Sequence, residues 1–489
     1  MTRRSNAHVG CAFALLCLPA ISLADNDPTK AKARSYIDTQ AELLSRTNRR
    51  IWSFAETSLD EVRSSAELQK LLAANGFTVE AGVADMPTAF VATFGSGKPV
   101  IGILAEFDAL PGVSQAASGE AAPGPNPAAG HACGHSAFGV GSTGAAMAIK
   151  QLIAAGDLHG TVRLYGTPAE ETAMGKIYML RAGYFKNDDV IFTWHPSSLT
   201  LAPYGTTMSL VNVKFRFQGQ SSHAALQPFA GRSALDAVEL MNSGVNFMRE
   251  HVRDDARIHY VITRGGDQPN VVPAQAESWY YIRAHEFGDV DRYFKWIREI
   301  AEGAAKMTQT KLEAVDVQSE MHNIIPTPAL VRLVHDNLTA VGPPQWSEAE
   351  LRLARATQTN FKDPSRSGPP PGTPAMSERI EPMMERPAKG ASSSDVGDIS
   401  WFVPVANLMV AAYAYGVPTH TWPVVAATGS SIGDKALLVA AKVIASSAID
   451  LYRDPDLLQR VREDYRRARG DSPWRTLIPD GQKAPVTVR

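Results

Sequence analysis

Cysteine is scarce in this chain of 489 residues, which contains three: Cys11, Cys17 and Cys133. The first two lie in a leader segment described below, so we expect Cys133 to be the only cysteine of the mature protein. A single cysteine excludes an internal disulfide. A lone thiol is more often an inert buried side chain than a reactive one, but the neighbours of Cys133 favour a chemical role.

Net charge is low as well, because 48 basic and 50 acidic side chains leave a formal charge of −2 at pH 7. This balance argues against a broad electrostatic surface for nucleic acid or for an anionic membrane. It leaves a small charged substrate open. Beyond the leader, the sequence has no apolar run long enough to cross a bilayer.

The leader has the pattern of a secretory signal peptide. Arg3 and Arg4 precede an almost uninterrupted apolar run at residues 9–21, and SLA at 22–24 supplies a small-x-small cleavage pattern. We therefore expect residues 1–24 to be removed and the mature protein to be exported, as a periplasmic or secreted protein without a membrane attachment. An uncleaved N-terminal anchor is the alternative.

Short apolar runs predict strands at residues 89–93, 99–104, 161–165 and 190–194, with a helix of small residues at about 140–155 among them. This alternation predicts an α/β fold with a mainly parallel mixed sheet flanked by helices. In such sheets, functional side chains lie just beyond the carboxyl ends of the strands. Metal-type ligands follow three of the predicted strands, namely Glu106 and Asp108, Glu170 and Glu171, and His195.

The middle of the chain has a different pattern. It predicts strands at 211–218, 257–263, 277–283 and 311–318, and helices at 234–249 and 290–307. The order β-α-β-β-α-β is that of a ferredoxin-like split βαβ unit. We therefore divide the mature chain into a catalytic domain of residues 25–208 and 323–470, an inserted domain of residues 209–322, and a polar tail of residues 471–489.

The sequence HACGH at 131–135 places a thiol and an imidazole two residues apart, and both bind zinc-like cations well. The adjacent Glu170 and Glu171 allow one carboxylate to bind metal while the other accepts a proton from water. His195 adds a second imidazole. The plainer interpretation is a pair of solvated acids and a structural histidine.

These motifs resemble a known superfamily, the metallo-aminoacylase and glutamate-carboxypeptidase superfamily of dinuclear metallopeptidases. The resemblance is carried, in order, by AEFDALP at 105–111, HACGH at 131–135, PAEE at 168–171, HP at 195–196, SSDVGDISW at 393–401 and PTHTW at 418–422. It spans about residues 35–450. The closest branch is that of the B-type p-aminobenzoyl-glutamate hydrolases, beside the auxin-conjugate amidohydrolases.

The resemblance implies a role for each matching residue. It implies two divalent metal ions, zinc or manganese, bound by Cys133, His135, Glu171, His195 and His420. Glu170 would be the general base, and Asp108 would orient a metal ligand. Glu106 departs from the pattern, because many relatives have a histidine ligand at that position.

In the inserted domain, the resemblance implies that His223 steadies the oxyanion in the active site of a partner subunit. This implies a homodimer formed through the inserted domain, which would act as a lid. Asn270 and Arg283 would lie near the carboxylate of the substrate, and the planar guanidinium suits that contact. A surface charge on a strand is the plainer interpretation of Arg283.

We therefore expect hydrolysis of an amide bond in a small N-acyl amino acid or dipeptide-like substrate with a free carboxylate, of which p-aminobenzoyl-glutamate is favoured. A dipeptidase or aminoacylase of the same fold and a non-catalytic metal-binding homologue are the alternatives. The sequence GVGSTG at 139–144 also matches a dinucleotide-binding motif, but no strand precedes it. Small residues that pack a helix closely against the sheet explain it better.

Overall fold

The computed structural model describes residues 27–362 and 370–485. The predicted signal peptide, residues 1–24, lies outside the described residues, as do residues 486–489 of the predicted tail. In the described residues the helices are α1 (Pro28–Thr39), α2 (Ala41–Phe54), α3 (Val62–Ala74), α4 (His135–Ala154), α5 (Gly175–Arg181), α6 (Ala234–Met248), α7 (Phe287–Thr308), α8 (Pro328–Val341), α9 (Glu348–Asn360), α10 (Val396–Ser400), α11 (Trp422–Thr428), α12 (Ser431–Arg453) and α13 (Pro455–Arg469). The strands are β1 (Thr78–Ala81), β2 (Phe90–Ser96), β3 (Val100–Ala105), β4 (Leu110–Pro111), β5 (Ala129–Gly130), β6 (Gly160–Gly166), β7 (Val190–Ser197), β8 (Gly205–Thr206), β9 (Ser209–Gln218), β10 (Arg257–Arg264), β11 (Gln275–Ala284), β12 (Lys311–Met321), β13 (Ala388–Lys389) and β14 (Val405–Ala411).

The larger sheet has the strand order β1-β2-β6-β3-β7-β14. The strands β6, β3, β7 and β14 are parallel, whereas β1 and β2 are antiparallel at one edge. All six residues of β3 are buried, as expected for a central strand covered by helices on both faces. The prediction of a mainly parallel mixed sheet is therefore confirmed.

The glycine-rich motif lies inside α4, where the helix packs closely on its neighbours. A Cβ added at Gly139 would lie 2.6 Å from the carbonyl oxygen of Glu106, and one at Gly141 would lie 2.9 Å from the ring of Trp194. Sixteen of the twenty α4 residues are buried, so the small residues serve close packing. The motif does not form a phosphate-binding turn between a strand and a helix.

Residues 209–322, which the sequence predicts as an inserted domain, contain a second, antiparallel sheet with the order β10-β11-β9-β12. The element order β9-α6-β10-β11-α7-β12 is the predicted one. Side chains alternate along β11, where Tyr280 is buried and bonded to Asn242 of α6 while Tyr281 and Arg283 project from the opposite face. That opposite face turns toward the catalytic domain, which is how Arg283 reaches the site described below.

The chain after α13 packs back across both domains. The Leu477 amide donates to Glu320 at 2.7 Å, and the Gln482 side chain donates to the Val317 carbonyl at 2.8 Å, both on β12. The Trp474 indole donates to Asp398 of α10 at 3.0 Å. Within residues 27–362 and 370–485, no helix combines the length and the apolar character needed to cross a membrane.

Candidate metal centre and active site

The predicted ligands gather at the carboxyl edge of the parallel strands. Glu106 and Asp108 follow β3, Glu170 and Glu171 follow β6, and His195 lies near the end of β7. These strands are neighbours in the sheet, so their ends open on one cleft. The structure therefore brings together the three groups that the sequence singled out.

His135 is the first residue of α4 and is fixed by Asp108. Its Nδ1 donates to Asp108 at 2.9 Å, and the other oxygen of Asp108 accepts the Glu171 amide at 3.0 Å. The opposite ring nitrogen of His135 is buried and makes no hydrogen bond among the described residues, although a carboxylate oxygen of Glu106 lies 3.2 Å from it. A histidine held at one nitrogen by a carboxylate, with the other nitrogen turned toward further donor groups, has the arrangement of a metal ligand.

Two sets of donor atoms meet at Cys133. The Cys133 sulfur lies 3.3 Å from His195 Nε2, and with His135 these residues form one set whose atoms lie within 4.8 Å of each other. Cys133, Glu171 and His420 form a second set, in which His420 Nε2 lies 3.3 Å from Glu171. A thiolate, imidazoles and a carboxylate suit zinc and related divalent cations, so the residues fit the expected metal.

The charges in the cleft are unbalanced without a cation. Burial raises the pKa of Glu170 well above its usual value, and the nearby carboxylates of Glu106 and Glu171 raise it further. Burial also raises the pKa of Glu171 to about 7. Burial and then the neighbouring His135 lower the pKa of His195 to about 4. A divalent cation would offset the carboxylate repulsion and bind the neutral imidazole.

A buried lysine beneath the cleft gave no signal in the sequence. Lys176 of α5 lies 2.7 Å from Glu106 and 2.6 Å from Asp395, and all three side chains are buried. The other carboxylate oxygen of Glu106 lies 3.2 Å from His135 Nε2. Asp395 belongs to the SSDVGD motif, so part of that motif serves to hold this ion pair.

The cleft opens into a cavity of about 390 Å³ between the two domains. Arg283 and Tyr281 line it from the inserted domain, and Glu170 keeps part of its surface accessible there. Arg283 donates to the Ser393 hydroxyl at 3.1 Å, while its Nε is buried without a partner among the described residues.

His223 and Asn270 lie outside this cavity and are exposed on the inserted domain. They are near each other, because the amide of Ala224, the residue after His223, donates to the Asn270 carbonyl. The structure thus brings Arg283 to the site within one chain, but not His223 or Asn270.

Comparison with known proteins identifies the family of this chain. The chain belongs to peptidase family M20/M25/M40, whose family model matches residues 102–472. It is 38% identical over 451 residues to the B-type p-aminobenzoyl-glutamate hydrolase chain of Escherichia coli strain K12, covering 88% of this chain and 93% of that protein. It is 29% identical over 463 residues to the Xaa-Arg dipeptidase of Mus musculus, covering 91% and 94% of the two chains.

The fold is also that of a dinuclear metal-binding peptidase of the M20 family from Bacillus subtilis. That structure has a TM-score of 0.55 and 19% identity, covering 85% of this chain and 99% of the other, a likeness that concerns the fold alone. The predicted resemblance is therefore confirmed. The chain is a metallo-enzyme that hydrolyses carbon–nitrogen amide bonds with divalent metal ions, and the dinucleotide interpretation is wrong.

Proposed function

We propose that this enzyme hydrolyses the amide bond of small N-acyl amino acids or dipeptide-like substrates with a free carboxylate, and that p-aminobenzoyl-glutamate is the favoured substrate. One observation carries the proposal: the same cavity is lined by Glu170, by Arg283 and by four of the five metal-type donors, Cys133, Glu171, His195 and His420. The cavity thus combines a proton acceptor, a metal centre and a carboxylate receptor.

The residues that would hold the metal are Cys133, His135, Glu171, His195 and His420. Two ions are favoured because two donor sets share the Cys133 sulfur. The thiolate favours zinc, whereas the branch that the motifs resemble favours manganese. Such ions supply Lewis acidity for the attacking water and the scissile carbonyl.

Glu170 is the proposed general base. It lines the cavity and belongs to neither donor set that meets at Cys133, although its carboxylate also lies within 4.8 Å of donor atoms of Glu106 and His135. Burial and the neighbouring carboxylates raise its pKa, which favours a group that accepts a proton. It would take a proton from the attacking water and pass it to the nitrogen of the leaving amine. His223 of a partner subunit would donate to the oxygen of the tetrahedral species.

Arg283 is the proposed carboxylate receptor. Its Nε–H is buried and has no acceptor in the described parts of the chain, and a buried donor without a partner is costly. A substrate carboxylate would accept from this group in a charge-assisted hydrogen bond. The relative named for p-aminobenzoyl-glutamate supports this substrate, and the relative named as a dipeptidase supports the alternative.

The proposed homodimer is supported by the surface of the inserted domain. Of the ten large apolar side chains exposed in the described part of the chain, eight lie there: Leu226, Phe229, Leu240, Phe247, Val261, Ile262, Val271 and Met307. Strand β10 is an edge strand and offers unpaired backbone groups. Concentrated apolar surface and an unpaired edge strand are typical of a protein–protein interface.

We also propose that the protein is exported and that its signal peptide is cleaved. N-terminal sequencing of the secreted protein tests this.

The test is metal analysis of the purified protein followed by a panel of N-acyl amino acids and dipeptides, with and without chelator. We expect bound zinc or manganese, turnover of p-aminobenzoyl-glutamate, loss of turnover after chelation and recovery when metal is added back. Glu170→Gln should abolish turnover and keep the bound metal. Activity that survives complete chelation would refute the mechanism, and a metal-loaded protein inactive on the whole panel would favour the non-catalytic alternative.

A further inference from the structure

The residue before the proposed base has an unusual backbone conformation. Ala169 has φ = 60°, in the left-handed region that residues with a Cβ avoid. It lies directly after Pro168, at the point where the chain leaves β6 and turns toward α5. Because Ala169 sets the direction of the next residue, this conformation decides where Glu170 points.

Hydrogen bonds from outside the turn hold this conformation. The Ala169 amide donates to Glu61 Oε1 at 3.0 Å, and the Glu171 amide donates to Asp108 Oδ2 at 3.0 Å. The amides on either side of Glu170 are thus each bound by a buried carboxyl side chain. The Ala169 carbonyl also accepts the Met174 amide at 2.7 Å, which closes the turn on itself.

Glu61 acts on the turn directly, through the Ala169 amide, and it also lies close to Asp108, which holds His135 and the Glu171 amide. It is the N-cap residue of α3, is fully buried and lies outside the lining of the cavity. Its second oxygen accepts the Thr88 hydroxyl at 3.0 Å. An apolar side chain of equal size would fill this space without the cost of burying a carboxyl group beside Asp108. It would, however, leave the buried Ala169 amide and Thr88 hydroxyl without this acceptor, so the glutamate supports both the turn and the stability of the fold.

We propose that Glu61 is a positioning residue for the general base, because its hydrogen bond to the Ala169 amide holds the left-handed turn that aims Glu170 into the cavity. The inference rests on the proposed role of Glu170. Glu61 itself touches neither substrate nor metal. Its effect should therefore appear in the rate of the chemical step rather than in binding.

The test compares kcat, KM and bound metal in Glu61→Met, Glu61→Gln and the double variant Glu61→Met with Ala169→Gly. Methionine keeps the volume but cannot accept the amide, so we expect kcat to fall about 10- to 100-fold with KM and metal content unchanged, as for a catalytic group misplaced by about 1 Å. Glutamine keeps an acceptor and should stay within about threefold of wild type, since a neutral acceptor replaces a carboxyl group. Glycine adopts φ > 0 without strain, so Ala169→Gly should restore part of the lost kcat.

Thr88→Val is the matched control, because it removes a hydrogen bond from Glu61 but leaves the one to Ala169. It should lower thermal stability without lowering kcat. If Glu61→Met does not fold, Glu61→Asp tests the same point, because the shorter side chain cannot reach the Ala169 amide.

A wild-type kcat in Glu61→Met or Glu61→Asp would overturn the inference, as would a lost kcat that glycine at 169 does not restore. Wild-type protein and Glu170→Gln are assayed beside these variants. An active wild type that needs Glu170 but not Glu61 refutes the inference alone. An inactive wild type, or full activity in Glu170→Gln, refutes the proposed function. The inference about Glu61 is then refuted as well, because it depends on the role of Glu170.

Discussion

At the scale of single residues, Arg283 shows how an unsatisfied donor marks a binding site. One of its guanidinium nitrogens is bonded to Ser393, while the buried Nε–H has no acceptor among the described residues. Burial lowers the pKa of Arg283, although the side chains of Tyr281 and Glu170 act to raise it. An anion in the cavity would supply the missing acceptor and offset the burial.

We therefore predict that Arg283→Met raises KM for p-aminobenzoyl-glutamate by about 10- to 100-fold, because a hydrogen bond to a charged group contributes roughly 1.5–3 kcal/mol. The same variant should leave KM nearly unchanged for the analogue in which both glutamate carboxylates are carboxamides. Steady-state kinetics on the two substrates measure the difference. Arg298→Met, on the exposed face of α7, is the control. An equal rise in KM for both substrates would mean that Arg283 shapes the cavity and does not bind the carboxylate.

Much of the site was predictable from residues close together in sequence. HACGH and the two adjacent glutamates gave Cys133, His135 and the carboxylate pair because metal ligands and bases of this kind stand in short, recognisable spacings. Glu61 gave no such signal, since it acts on a residue 108 positions away. Lys176 was missed for the same reason, because its role is defined by Glu106 and Asp395 from other elements.

At the scale of elements, apolar runs located four of the six strands of the larger sheet and all four of the smaller one, and β3 and β9 begin within two residues of the predicted positions. Helix α4 was predicted to begin at about residue 140, but it begins at His135. Its first turn contains a proposed metal ligand and small residues in place of the usual residues of a helix start. The beginning of α4 was therefore predicted too late in the sequence. Strand β2 was predicted, but its antiparallel orientation was not, and neither were β1 and β14 at the two edges of the sheet, because strand pairing depends on long-range contacts.

The close packing of α4 yields a stability prediction. Gly141→Ala would place a Cβ 2.9 Å from the ring of buried Trp194, so we expect a loss of about 1–3 kcal/mol in the free energy of unfolding, as for an overpacked core. Gly303→Ala in α7 meets no atom within 4 Å and should instead stabilise the protein by about 0.5–1 kcal/mol. Urea unfolding of the two variants checks this. Equal effects at both positions would contradict the close-packing interpretation of the glycine motif.

At the scale of the whole molecule, the site of one chain is incomplete if the expected role of His223 is correct. His223 is exposed beside Val271, within the apolar surface proposed as the dimer interface. It lies on the inserted domain, and a partner chain packed on this surface would carry its own His223. A dimer could therefore exchange these histidines between the two sites.

Mixing two inactive variants tests this exchange. His223→Ala and Glu170→Gln should each lose turnover, but a mixed dimer would combine an intact Glu170 in one chain with an intact His223 from the other. Unfolding the variants together and refolding them should restore about a quarter of wild-type activity, because half of the dimers are mixed and each has one complete site. Each variant refolded alone is the control. No recovery, with dimers present by light scattering, would place His223 in its own chain's site or outside catalysis.

The connection between the domains is held by a second set of contacts. His322 follows β12 and stacks on Phe287 of the inserted domain with ring centroids 3.7 Å apart, while its Nδ1 lies 2.6 Å from Asp398 of the catalytic domain. Glu320, His322 and Asp398 are close enough to hold a metal ion. Trp474 and the Leu477 amide donate to the two carboxylates, while Glu320 Oε1 is buried and has no hydrogen-bond partner among the described residues.

Glu320 makes this connection sensitive to pH. Burial, together with the charge of Asp398, raises the pKa of Glu320 to about 7, although His322 acts to lower it. Below the unfolded-state pKa, near 4.5, the side chain is protonated in both states and its contribution to stability is fully present. As pH rises from 4.5 to 7, the unfolded chain releases this proton before the folded protein does, so stability is lost across this window.

We predict that Glu320→Gln removes this dependence, because glutamine resembles the protonated acid and never ionises. Relative to the variant, wild type should lose up to about 3 kcal/mol in the free energy of unfolding between about pH 4.5 and 7, at about 1.36 kcal/mol for each pKa unit. Urea unfolding at several pH values measures the difference, with Glu385→Gln on the exposed surface as the control. If Glu320→Gln keeps the wild-type slope, burial does not raise the pKa of Glu320 in the folded protein, and another group sets the pH dependence.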